Sequence, residues 1–107
     1  MKNKLIEEAK KVLLGNKKRG YTMHTNNKLY PAQWKWDSGF ISLGFSSFKL
    51  KYALDEITTL LRGQWKDGMI PHILFHDLNT NYYQNHSVWN CGNKIHSSGR
   101  TQPPVLA

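Results

Sequence analysis

Residues 33–40 are the most distinctive part of this chain and have the sequence Gln33-Trp34-Lys35-Trp36-Asp37-Ser38-Gly39-Phe40. They place two indole rings and a carboxylate within a few positions, and an apolar run with helical spacing follows. We expect a helix to start near Trp34–Asp37 and to end at about Leu50. Its apolar side chains, among them Ile41, Leu43 and Phe45, predict that this helix is well buried.

An indole and a carboxylate this close together suit the binding of a sugar ring. The rigid indole can cover the apolar face of the ring, and the carboxylate can accept charge-assisted hydrogen bonds of about 1.5–3 kcal/mol from hydroxyl groups. Residues three apart share a helix face, so Trp34 and Asp37 should face one pocket while Trp36 points elsewhere, into the core. The alternative is that Asp37 caps the helix, worth about 1 kcal/mol, and that both tryptophans are core residues.

Two later motifs are Gln64-Trp65-Lys66-Asp67-Gly68-Met69-Ile70-Pro71-His72 and Thr101-Gln102-Pro103-Pro104-Val105-Leu106-Ala107. In this order the three motifs resemble the N-terminal part of (α/α)6-barrel glycosidases, in particular glycoside hydrolase family 63 and its glucosylglycerate and mannosylglycerate hydrolase relatives. The resemblance covers residues 30–107 and implies an all-α fold. A chain of 107 residues is too short for twelve helices of about 11–12 residues each. We therefore expect residues 1–107 to be an N-terminal fragment of one catalytic domain, with about three helices, a long loop and the start of a fourth helix.

The resemblance also implies which residues bind the substrate. The tyrosine, first tryptophan and aspartate that hold the sugar in the family correspond to Tyr30, Trp34 and Asp37.

Further site residues follow from the other two motifs. The family's loop on the aglycone side corresponds to the segment containing His72, and Tyr82 or Tyr83 falls at a comparable position. A hydrogen-bonded loop histidine is an equally acceptable interpretation of His72. The pocket glutamine of the family corresponds to Gln102, which the following prolines place at a helix entrance with Thr101 as a cap. A helix-start motif without a binding role is the alternative for Gln102.

No pair of catalytic carboxylates stands out in this chain. Inverting glycosidases need an acid and a base about 6.5–9.5 Å apart. Apart from Asp37, the carboxylates have surface, capping or turn positions by sequence; they are Glu7, Glu8, Asp55, Glu56, Asp67 and Asp77. In the resembled family both catalytic groups lie downstream of the Gln-Pro-Pro motif. The resemblance thus implies that the intact protein hydrolyses an α-glycosidic bond with inversion and that residues 1–107 alone are inactive.

The charge of this chain suggests an alternative function. With 15 basic and 7 acidic residues the net charge is 15 − 7 = +8, which is compatible with nucleic-acid binding. The chain has no zinc-finger spacing, RNA-binding aromatic motif or basic heptad region, so no nucleic-acid partner is expected. A non-enzymatic binding module, either a sugar-binding remnant or a basic nucleic-acid-binding fragment, is the alternative to the enzyme.

Metal, redox and membrane functions receive little support. Cys91 is the only cysteine, and its neighbours supply no base that would activate it. His72 and His76 have i, i+4 spacing, but the Ile-Leu-Phe run between them favours an extended segment, so no metal or cofactor is expected. The N-terminus lacks the apolar core of a signal peptide, and no run approaches the ~20 residues of a membrane helix. A soluble, cytoplasmic protein with no membrane partner is expected.

The remaining helices and loops are predicted from the periodicity of apolar residues and from the positions of glycine and proline. A stripe of apolar residues predicts a first helix that stops at Gly15-Asn16. Gly44 inside the second helix predicts close approach of another helix, since glycine otherwise costs about 1 kcal/mol there. A third helix is expected from Tyr52 to Gly63. No helix is predicted between residues 64 and 101, which we expect to form a long loop over the mouth of the barrel.

Overall fold

The computed structural model describes residues 1–23, 30–80, 82, 84–92 and 94–106. The helices are α1 (Lys2–Gly15), α2 (Lys35–Ser46), α3 (Leu50–Arg62) and the short α4 (His86–Trp89), and the strands are β1 (Gln33–Trp34) and β2 (Ile73–Leu74). The described part of the chain is therefore mostly helical, as predicted. Strands β1 and β2 pair antiparallel, with Gln33 opposite Leu74 and Trp34 opposite Ile73.

Helices α2 and α3 form an antiparallel hairpin with a small apolar core. The buried residues of this core are Ile41, Phe45 and Ala53, and the ring of Phe45 lies 5.5 Å from the ring of Tyr52. Helix α1 packs on the outside of α2 at Gly44, where an added Cβ would lie 3.0 Å from Leu13 Cδ1. The predicted close approach of a second helix at Gly44 is thus confirmed.

Helix α2 is shorter and less buried than the sequence predicts. It ends at Ser46 instead of Leu50, because the hydroxyls of Ser46 and Ser47 donate to the carbonyls of Leu43 and Gly44 and compete with the helical pattern. The predicted burial is also wrong, since Leu43 is 69% exposed.

An apolar face extends across the outside of the α2–α3 hairpin. Its exposed members are Phe40, Leu43, Leu50 and Leu54. Val105 and Leu106 lie at one edge of this face, against Gly39. We refer to Phe40, Leu43, Leu50 and Leu54 as the outer apolar face.

The segment between α3 and the C-terminal motif is mostly irregular but ordered by backbone hydrogen bonds. The backbone N–H of His72 donates to the carbonyl of Arg100, and that of Phe75 donates to the carbonyl of His96. Residues 96–100 therefore run antiparallel to residues 72–75 and continue the pairing of β2. The predicted extended conformation around Ile73 is confirmed, while the four-residue helix α4 was missed.

The helix start predicted after the two prolines stays a prediction, because the described residues end at Leu106. Residues 101–104 are irregular, and Val105 and Leu106 form a turn. In the part of the chain that the structure describes, no helix is long and apolar enough to cross a lipid bilayer.

Candidate functional site

The candidate site is built around the junction of β1 and α2. Trp34 is the residue before the first helical turn and has an extended backbone (φ −109°, ψ 130°). Asp37 is consequently in the first turn, where a carboxylate is favoured by the helix dipole, and it does not cap the helix. The capping alternative for Asp37 is therefore wrong. The half-buried Asp37 carboxylate makes no hydrogen bond or ion pair with another described residue.

The prediction that Trp36 points into the core is wrong. Trp36 is 39% exposed, and its ring lies 5.6 Å from the ring of Phe40. The reason is that the buried face of α2 is formed by Ser38, Ile41 and Phe45, whereas Trp36 shares the exposed face of Phe40, four residues later.

Four of the predicted site residues meet in a group of rings. Ring centroids are separated by 5.7 Å between Tyr30 and Trp34, by 5.9 Å between Tyr30 and Tyr82, and by 5.7 Å between Trp34 and His72. These residues come from three separate segments, which β1, β2 and the following loop bring together. The structure therefore places the predicted Tyr30, Trp34, His72 and Tyr82 side by side.

Two neighbours of these rings were not predicted. The ring of Trp89, in α4, lies 5.3 Å from the ring of His72, and the Arg100 guanidinium lies 5.4 Å from the centre of the Trp89 ring. We call Tyr30, Trp34, His72, Tyr82 and Trp89 the aromatic cluster. The only sequence signal for Trp89 was the abundance of aromatic residues in its segment, which gives no information about its neighbours.

His72 presents a hydrogen-bond acceptor to its surroundings. The side chain is buried, and Nδ1 lies 3.3 Å from the Arg100 carbonyl. Because a carbonyl only accepts, Nδ1 carries the proton in this contact and Nε2 of the neutral ring is the acceptor. Burial lowers the pKa of His72, partly opposed by the Arg100 carbonyl, and the Arg100 charge lowers it further. His72 is therefore neutral at physiological pH.

Gln102 is attached to the first turn of α2. Its Oε1 accepts a hydrogen bond of 2.7 Å from the backbone N–H of Trp36. This N–H belongs to the first helical turn, and Trp34 at the cap position offers no side-chain acceptor, so Gln102 supplies the cap from a distant segment. The helix entrance predicted at Gln102 stays a prediction, because the described residues end at Leu106; Gln102 is bound to Trp36, which lies between Trp34 and Asp37 in the sequence. With Oε1 occupied, its amide has N–H donors left for another group.

The buried Lys35 side chain fixes the same segment. Its ammonium donates to Thr101 Oγ1 at 2.8 Å and to the carbonyl of Gln102 at 3.1 Å. Thr101 therefore binds Lys35, and the capping role predicted for it stays a prediction.

A buried polar network lies behind the site. The amide nitrogen of Gln33 donates to the Glu56 carbonyl at 2.9 Å and to Ser38 Oγ at 3.1 Å. Ser38 Oγ donates to Glu56 Oε1 at 2.6 Å, and His76 Nε2 donates to Gln33 Oε1 at 2.7 Å. We call Gln33, Ser38, Glu56 and His76 the buried network. Glu56 is 0% exposed, so the surface, capping or turn position expected for it is wrong.

Burial shifts the titration of both ionisable groups in this network. It raises the pKa of Glu56 to about 7, although hydrogen bonds from Ser38 and Gln33 and the Lys17 charge favour the ionised form. Burial also lowers the pKa of His76 to about 4.

The other carboxylates have structural partners. Glu7, Glu8 and Asp55 form exposed ion pairs with lysines one helical turn away. Asp67 and Asp77 accept backbone N–H bonds from the residues two positions later. Among the described residues, no group of three His, Cys, Asp or Glu side chains is arranged to hold a metal ion.

Comparison with known proteins shows the family of this chain. Residues 30–107 match the family described as mannosylglycerate hydrolase MGH1-like glycoside hydrolase domain. The chain belongs to this family. Over 108 residues it is 41% identical to mannosylglycerate hydrolase MGH2 of Selaginella moellendorffii, covering 100% of this chain and 22% of that protein.

Two further relatives are similar to most of this chain. The chain is 38% identical over 86 residues to glucosylglycerate hydrolase of Mycolicibacterium hassiacum, covering 74% of this chain and 19% of that protein. The crystal structure of the GH63 mannosylglycerate hydrolase from Thermus thermophilus in complex with Tris and D-glycerate is 40% identical, with a TM-score of 0.83, covering 94% of this chain and 24% of that one. The chain thus spans about a quarter, or less, of these glycoside hydrolases. The resemblance to glycoside hydrolase family 63 is confirmed.

Proposed function

We propose that this chain is the N-terminal part of one glycoside hydrolase catalytic domain, acting with inversion on an α-glycoside of glycerate. The observation that carries the proposal is the arrangement at the start of α2. There, Trp34 of the aromatic cluster directly precedes the helix, Asp37 in the first turn makes no hydrogen bond or ion pair with a described residue, and the Gln102 side chain is bound to the backbone N–H of Trp36. The relatives are mannosylglycerate and glucosylglycerate hydrolases, which supports a substrate that joins a hexose to glycerate.

Each site residue has a chemical role in this proposal. Trp34 and Tyr30 cover the apolar face of the sugar, and Asp37 accepts hydrogen bonds from its hydroxyl groups. His72 accepts a hydrogen bond, while Tyr82 and Gln102 donate to oxygen atoms of the substrate. These contacts orient the sugar, and proton transfer is left to other groups.

The catalytic acid and base are proposed to lie outside residues 1–107. Of the carboxylates described above, only Asp37 lacks an ion pair, a turn hydrogen bond or a place in the buried network. One carboxylate does not provide the acid and base that inversion requires. The outer apolar face further supports a larger helical toroid, because a contiguous apolar surface normally marks contact with other protein. A cytoplasmic location stays a prediction from the sequence.

The test uses Asp37→Asn in the full-length enzyme, with mannosylglycerate and glucosylglycerate as substrates. Loss of a charge-assisted hydrogen bond of about 1.5–3 kcal/mol should lower kcat/KM by about ten- to a hundredfold. Asp67→Asn makes the same chemical change in a turn and should leave kcat/KM within about twofold. Unchanged kinetics in Asp37→Asn would remove the assignment of this site.

The fragment provides a second test. Residues 1–107 alone should show no turnover of an aryl α-glucoside, because the acid and base are missing. Measurable hydrolysis by the purified fragment would contradict their proposed location.

A further inference from the structure

The buried ammonium of Lys35 has no explanation in the site described so far. Lys35 is 6% exposed, and both of its hydrogen-bond acceptors are neutral oxygens, Thr101 Oγ1 and the Gln102 carbonyl. No carboxylate of the described residues lies within ion-pair distance of it. Burying a cation with only neutral partners costs free energy of folding. A lysine kept at such a position indicates that its ammonium holds a neighbouring segment in place.

What the ammonium holds is the residue that completes the first turn of α2. Gln102 is held at two points: its side-chain Oε1 by the N–H of Trp36, and its backbone carbonyl by Lys35. With only one of these contacts, the Gln102 side chain could still rotate. The two contacts together fix the direction in which the remaining amide N–H groups point.

We propose that Lys35 is a positioning residue of the substrate site, which holds the Thr101–Gln102 backbone against α2 so that the Gln102 amide donates in one fixed direction. The inference rests on the proposed function, because it takes Gln102 to contact substrate. Lys35 itself acts through Gln102 and touches no substrate. Among the described residues, Lys35 links the Trp34–Asp37 motif to the Gln-Pro-Pro motif. Its two hydrogen-bond partners lie 66 and 67 positions later in the chain.

The test is a double-mutant cycle in the full-length enzyme with mannosylglycerate as substrate. Lys35→Met keeps the length of the side chain and removes the donor, and KM should rise about tenfold with kcat changed by less than about threefold. Gln102→Ala should raise KM at least as much. If Lys35 acts through Gln102, the double variant should match Gln102→Ala within about twofold.

Two controls keep the result interpretable. Lys4→Met removes an exposed lysine of α1 and should leave KM unchanged. Thr101→Val removes only one of the two acceptors and should raise KM about two- to threefold, again without adding to Gln102→Ala. This variant tests the proposal even if Lys35→Met fails to fold.

The outcomes separate the two claims. If Gln102→Ala leaves KM unchanged, the proposed site is wrong and the role of Lys35 falls with it. If Gln102→Ala raises KM and each double variant shows the product of the two single-variant increases in KM, the site stands and the positioning role of Lys35 is wrong. Lys35→Met or Thr101→Val with an unchanged KM would also overturn the positioning role.

Discussion

The two ionisable groups of the buried network should nearly cancel each other's effect on the pH dependence of stability. The pKa of Glu56 is raised from an ordinary 4.5 to about 7 in the folded chain. A carboxyl group with a raised pKa contributes stability that is complete below pH 4.5 and is lost as pH rises through about 7. The difference between these values corresponds to about 3 kcal/mol of unfolding free energy.

His76 contributes with the opposite sign. Burial lowers its pKa from 6.5 to about 4, so the folded chain holds the ring neutral while the unfolded chain protonates it. The stability is present above pH 6.5 and is lost as pH falls toward 4, again by about 3 kcal/mol. Between pH 4.5 and 6.5 the two slopes are equal and opposite, and the contribution of the pair to the pH dependence is flat.

Glu56→Gln should expose the slope of His76. The variant removes the titrating carboxyl, so its unfolding free energy should fall by about 2 kcal/mol more than that of the unaltered chain as pH is lowered from 6.5 to 4.5. Urea titrations followed by tryptophan fluorescence at pH 4.5, 5.5, 6.5 and 7.5 measure this difference.

The control for this experiment lies one residue away. Asp55→Asn changes an exposed carboxylate whose pKa is lowered by its hydrogen bond to Lys51, so it stays ionised across the window and the variant should keep the pH profile of the unaltered chain. Parallel profiles for Glu56→Gln and the unaltered chain would refute the opposing titration of the pair.

Three further outcomes follow from the packing and the charge. Gly63→Ala should destabilise the fold by about 1–3 kcal/mol in a thermal melt, because an added Cβ would overlap the fully buried Leu74 side chain. The control Gly15→Ala should be close to neutral, because an added Cβ there has no atom within 4 Å. The isolated 107-residue chain should bind an apolar fluorescent dye, and replacing both Leu43 and Leu54 by Asn should reduce that fluorescence; equal fluorescence would show that the outer apolar face is not the binding surface. Affinity for sugar should be nearly independent of salt between 50 and 200 mM, while any binding of DNA should fall steeply with salt; a steep salt dependence together with tight DNA binding would favour the basic-module alternative.

Local sequence patterns predicted the positions of the helices better than they predicted which side chains of each helix are buried. The stripe of α1 and its stop at Gly15 were found, because they depend on residues within one or two turns. Trp36 was assigned to the core because it is large and apolar, although it lies four residues before the exposed Phe40 and off the face formed by Ser38, Ile41 and Phe45. Glu56 was missed even though it lies three residues after Ala53 and four before Leu60, on the buried face of α3, because a carboxylate on that face was treated as exposed.

Contacts between residues far apart in the chain could not be predicted from the sequence, for a different reason. Nothing in the residues around Lys35 shows that its ammonium meets Thr101, and nothing around His72 shows that Trp89 packs against it. These contacts depend on how residues 96–100 pair alongside β2, which is set by backbone hydrogen bonds of an irregular segment. The family resemblance identified candidate residues, and the structure supplied the contacts that hold them.

Strand β1 links the stability of the chain to the geometry of its site. Successive residues of a strand point to opposite sides, so Gln33 enters the buried network while Trp34 enters the aromatic cluster. Gln33 is held by contacts to Ser38, Glu56 and His76, which fix the backbone from which the indole of Trp34 projects. A change in the network should therefore alter substrate binding without touching substrate. The orientation of the Trp34 ring in the aromatic cluster thus depends on buried polar contacts of the neighbouring residue Gln33.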